Sequence, residues 1–97
     1  MSDATDYLTL EQLCSACALE RDWLVLRVRE GLIRAEGDAD TRSSDAWRFT
    51  TATLTRVRRM REIEHSYEAA PELAALVADM LEQMDELRAR LRRAGLG

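Results

Sequence analysis

Cys14 and Cys17 lie three residues apart in a Cys-Ser-Ala-Cys run, a spacing that elsewhere serves thiol exchange or zinc binding. Zinc requires four ligands, and the only other soft donor in the chain is His65, so a zinc site is a ligand short. Thiol exchange needs the pair at the start of a helix, whose dipole favours thiolate, whereas the pattern here places it at a helix end. Both are read as small apolar core residues. His65 has no serine, cysteine or paired carboxylate positioned by sequence to work with it, and the acids show no metal-binding or acid-base spacing. A glycine-rich phosphate loop is absent. The expectation is therefore a protein that is no enzyme and uses no cofactor or metal. Charge remains: Arg56, Arg58, Arg59 and Arg61 form the one cluster able to face phosphates. Glu62 and Glu64 follow at once, however, and Arg58 to Glu62 can pair along a helix, so a solvated face is the preferred reading.

The elements that position these residues are helical. Thr9-Leu10-Glu11-Gln12 has the capping-box form, and Leu10, Leu13, Cys14 and Cys17 share one face of the short helix that follows. Trp23, Leu24, Val28 and Leu32 renew helical spacing, which predicts a second helix over 21–30, with Gly31 ending it in a left-handed turn. Two short helices joined by about three residues have helix-turn-helix spacing. Leu32-Ile33, a polar stretch from Glu36 to Ala46, and the alternating Trp47-Arg48-Phe49 predict a two-stranded wing, with Trp47 and Phe49 sharing a core face. Thr50 or Thr51 can cap a third helix over 52–65, carrying Leu54, Val57, Met60 or Arg61, and Ile63. Pro71 suits the first position of a last, long helix. There Leu73, Val77, Met80, Met84, Leu87 and Leu91 recur at steps of four and three, the seam of a coiled coil, which predicts a homodimer. Leu76 and Leu81 widen the stripe, so the first half is expected to pack on the domain while the second projects to a partner helix. The expected fold class is mainly α: a flexible 1–6, a winged helix-turn-helix domain over 7–66, and a C-terminal helix for packing and dimerisation over 67–97.

All fourteen basic residues are arginine, and eighteen acids bring the net charge to -4, so the protein as a whole has no attraction for nucleic acid or an anionic membrane. Glu20 and Asp22 would also point negative charge at a duplex from the end of the second helix that reads bases. A hydrophobic share of 46% suffices for a core. No run of about 18 apolar residues could span a membrane, and the acidic start, Met1 to Asp6, does not resemble a signal peptide. With only two cysteines, a reducing compartment, the cytoplasm, is expected.

The run Leu10-x-x-Leu13, then Leu24-x-x-x-Val28-x-x-Gly31-Leu32-Ile33, then Trp47-Arg48-Phe49, Leu54 and a long terminal helix resembles the MerR-like winged-helix superfamily over most of 7–94. Within it the chain is most similar to the small CbpM-type chaperone modulators, which share the Trp-x-Phe of the second wing strand and a leucine-rich last helix. DNA-binding MerR relatives usually carry Arg-Tyr-Tyr in the second helix, where this chain reads Val25-Leu26-Arg27. In Glu68-Ala69-Ala70-Pro71-Glu72 it departs from relatives that often have a glycine. The resemblance implies a protein that binds the J-domain of a DnaJ- or CbpA-like co-chaperone and stops it from stimulating DnaK.

A J-domain presents a basic helix, so a competitor should offer negative charge. Asp79, Glu82, Asp85 and Glu86, off the seam of the last helix, are the candidate contacts. The alternative is a MerR-like transcription regulator that sets Arg27, Arg29, Arg48, Arg56 and Arg58 on DNA phosphates.

Overall fold

The computed structural model describes residues 7–37 and 43–95, which form four α-helices: α1 (Leu10–Cys17), α2 (Arg21–Arg29), α3 (Thr51–Tyr67) and α4 (Pro71–Arg93). The expected flexible segment 1–6 and the tip of the expected wing, 38–42, lie outside the described residues. By its internal contacts the chain divides into two units, 1–58 and 59–97, with the division inside α3.

In the first unit local chemistry sets the helix ends. The Thr9 hydroxyl accepts from the Gln12 amide at 3.1 Å while the Gln12 side chain accepts from the Thr9 amide at 2.9 Å, so the capping box forms as expected. Ala18 adopts φ 54°, and the amides of Ala18 and Leu19 return to the carbonyls of Ser15 and Cys14, which closes α1 and turns the chain into α2. Gly31 at φ 79° closes the path out of α2 in the left-handed turn that its spacing predicts. Thr50, rather than Thr51, caps α3: its hydroxyl accepts from the Thr53 amide at 3.2 Å.

α1 and α2 pack as a helix-turn-helix over a core of Leu10, Leu13, Leu19, Leu24, Ile33, Trp47, Phe49 and Val57, all buried. Each such side chain contributes about 1.5–3 kcal/mol by leaving water. Trp47 meets Phe49 edge to face, with ring centroids 6.4 Å apart.

Among the described residues the two-stranded wing is not seen, and its place is taken by two isolated antiparallel bridges, Glu36 to Arg48 and Leu8 to Phe49, and by a 3-10 turn at Ser44–Ala46. Trp47-Arg48-Phe49 does alternate inward and outward, but it divides its pairing. Arg48 exchanges bonds with Glu36 at 2.6 and 3.1 Å, while Phe49 exchanges them with Leu8 at 2.7 and 2.8 Å. A three-residue segment with two partners has no room for a ladder with either.

In the second unit Glu68 follows α3 in the left-handed region at φ 51°. Ala70 and Pro71 then start α4. The buried face of α4 carries Ala74, Ala75 and Ala78, and Met60 on α3 is buried as well. Arg59 of α3 bonds Asp85 of α4 at 2.8 Å. Within this unit the side chains that the first half of α4 buries are the small alanines, while Leu73 and Leu76 are 52% and 55% exposed. A strip of alanine lets a neighbouring backbone approach closely, which a strip of leucine prevents.

Candidate functional site

α2 is the helix that a helix-turn-helix protein turns outward, and on it every third or fourth residue shares a face. Leu24 is fully buried. Arg27, which the DNA-binding alternative needs at the surface, is also buried, at 7% exposure: its guanidinium lies 4.8 Å from the Trp23 ring centroid and 3.6 Å from the Glu30 carboxylate. The cation thus lies against Trp23 and the helix end rather than in solvent. The outward face then reads Asp22, Leu26, Arg29 and Glu30, all exposed, with Leu26 at 51%. The spacing of Trp23, Leu24, Val28 and Leu32 leaves Leu26 off the apolar face, and the sequence pattern assigns it no role.

The other arginines of the alternative are held near the backbone. Arg48 donates to the carbonyls of Asp45 and Trp47 at 3.0 and 2.8 Å. Arg56 donates to the Leu32 carbonyl at 3.0 Å, and Arg58 reaches the Ala16 carbonyl at 3.4 Å, so each caps a chain segment that follows or ends a helix. Arg29 is exposed. Arg21 at the start of α2 donates to the buried Ser44 hydroxyl at 2.6 Å and stands 3.9 Å from both Glu11 and Asp45, which ties the 3-10 turn to α1 and α2.

On α4 three faces are distinct. The first is the buried alanine face, on which Asp85 also lies, bonded to Arg59 and 3.8 Å from Arg88. The second carries Leu73, Leu76, Met80, Met84, Leu87 and Leu91, between 44% and 56% exposed, with Val77 half-buried beside them. The expected seam is thus an unbroken apolar stripe open to solvent in the single chain. The third carries Asp79, Glu82 and Glu86, exposed and spaced by three and four, with Glu86 paired to Arg90 at 3.6 Å. Three of the four candidate acids therefore share a face, and the fourth, Asp85, serves the link to α3.

Cys14 and Cys17 are free and half-buried rather than fully packed away. Burial, and then the Glu11 carboxylate, push the Cys14 thiol above its ordinary pKa, the opposite of what a nucleophile requires. Among the described residues no group of three or more His, Cys, Asp or Glu could hold a metal ion, and His65 lies exposed on α3. No described helix is long and apolar enough to cross a membrane.

Residues 8–94 match the family described as MerR HTH family regulatory protein. Comparison with curated proteins and with solved structures finds no match.

Proposed function

The chain belongs to the MerR helix-turn-helix family of regulatory proteins, and on that premise we propose that it acts by docking a protein rather than by reading DNA. It is a chaperone-modulatory adaptor, similar to the CbpM type, that binds the J-domain of a DnaJ- or CbpA-like co-chaperone and blocks its stimulation of DnaK. The observation that carries this reading is the fate of Arg27. A DNA-binding relative turns cations from this helix to the duplex, whereas here the arginine is buried on Trp23, and the face left outward holds Asp22, Leu26 and Glu30 against a single arginine, Arg29. Against a polyanion such a face supplies repulsion and a desolvated leucine; against a basic helix it supplies attraction and an apolar anchor.

The adaptor works as a homodimer joined through the exposed stripe of α4, in the cytoplasm, without catalysis or a cofactor. Binding alone suffices, because a J-domain whose basic helix is covered cannot present it to DnaK. A pull-down of the purified protein with a J-domain and, separately, with random duplex DNA tests the reading. Retention of the J-domain that weakens with salt, and no retention of DNA, is the expected outcome. DNA retention with a steep salt slope, and none of the J-domain, would overturn it.

A further inference from the structure

We infer that the outward face of α2, centred on Leu26 and edged by Asp22 and Glu30, is a docking surface for a basic amphipathic helix of a partner protein. The inference rests on the adaptor reading above and names its surface. The obvious competitor is the acidic face of α4, and there the charge is already met from within the chain: Asp85 by Arg59 and Arg88, and Glu86 by Arg90. A basic partner would have to displace arginines to use those carboxylates, and the exchange of one pair for another yields little.

α2 differs in three respects. Glu20 and Asp22, both exposed at its start, have no ion-pair partner among the described residues, so a cation arriving there meets charge not yet neutralised. Leu26, one turn on from Asp22, is the most exposed large apolar side chain described in the first unit. Glu30 follows one turn later and is only partly compensated, at 3.6 Å from Arg27. Acid, leucine and acid thus repeat at four-residue spacing along one line of the helix, the complement of a helix that carries base, apolar residue and base at the same spacing. The opposite side of α2 is anchored by Leu24, which is fully buried, so the helix presents this face without having to turn.

The test is a fluorescence titration of the full chain with a labelled J-domain, run in parallel with a synthetic basic amphipathic peptide and its acidic counterpart. Asp22→Arg and Leu26→Ala, both at exposed positions, are compared with the α4 double variant Glu82→Arg/Glu86→Arg, with circular dichroism to verify that each is folded. Each α2 variant is expected to raise Kd for the J-domain about thirtyfold, the size of a single hot-spot loss, while the α4 variant stays within about twofold. J-domain binding that ignores both α2 changes, or that only the α4 variant weakens, would overturn the docking surface and leave the adaptor reading standing. Failure of the native chain to bind the J-domain would overturn the adaptor reading, and the peptides then decide. Binding of the basic peptide alone, lost in Asp22→Arg, supports the surface; binding of neither peptide, or of both equally, overturns it.

Discussion

Replacing Arg27 distinguishes a cation held for stability from one held for phosphate. Its guanidinium stacks 4.8 Å from the Trp23 centroid with a side chain 9% exposed, a setting worth about 1–2 kcal/mol. The pair with partly exposed Glu30 adds less than about 1 kcal/mol. Truncation to alanine also strips two methylenes from the interior, at about 0.8 kcal/mol each. Arg27→Ala should therefore cost about 3 kcal/mol, and at about 4–8 °C per kcal/mol for a chain of this size the melting temperature should fall by about 12 °C or more. Arg27→Met keeps the stem and should recover about half of that loss. Thermal unfolding followed by circular dichroism measures both, and retention on duplex DNA at low salt should be equal for the native chain and Arg27→Met. An alanine variant that melts within about 2 °C of the native chain, but loses DNA affinity, would refute the reasoning, because the guanidinium would then lie in solvent and serve a polyanion.

Three further outcomes follow from single observations. Glu68 sits at φ 51°, a region that costs a side-chain-bearing residue about 1 kcal/mol, so Glu68→Gly should raise stability by about 0.5–1 kcal/mol in urea unfolding; a loss would mean that its side chain holds the α3 end. Met80→Glu combined with Leu87→Glu puts charge on the exposed stripe of α4, and sedimentation should show a dimer for the native chain, as proposed, and a monomer with helix content retained for the variant. Because burial and Glu11 raise the Cys14 pKa, its thiolate is scarcer than a free thiol's at pH 7. Alkylation there should be slower than that of a model thiol, and its rate should keep rising with pH after the model thiol has levelled off.

What the sequence discloses here is mostly what adjacent residues decide. Thr9 with Gln12, Gly31 after α2, and Pro71 at the start of α4 act through bonds and torsions a few residues away, and the structure has each in its expected place. The two-stranded wing expected from the sequence is not seen among the described residues, since alternation in Trp47-Arg48-Phe49 specifies which side chains turn inward but not whether one strand or two will accept the pairing. On α4 the periodicity marks the leucine-rich stripe alone, whereas burial within the chain went to Ala74, Ala75 and Ala78, which leave space for close approach. The same holds for arginine. Its charge argues for the surface, and only the position of the Trp23 ring shows that Arg27 is interior.

The most direct test of a protein-docking role is the rate at which DnaK hydrolyses ATP with a J-domain present, as this chain is added. Stimulation should fall to the unstimulated rate as the chain approaches stoichiometry with the J-domain, and DnaK alone should be unaffected. Undiminished stimulation at saturating concentrations, with duplex DNA bound under the same salt conditions, would contradict it.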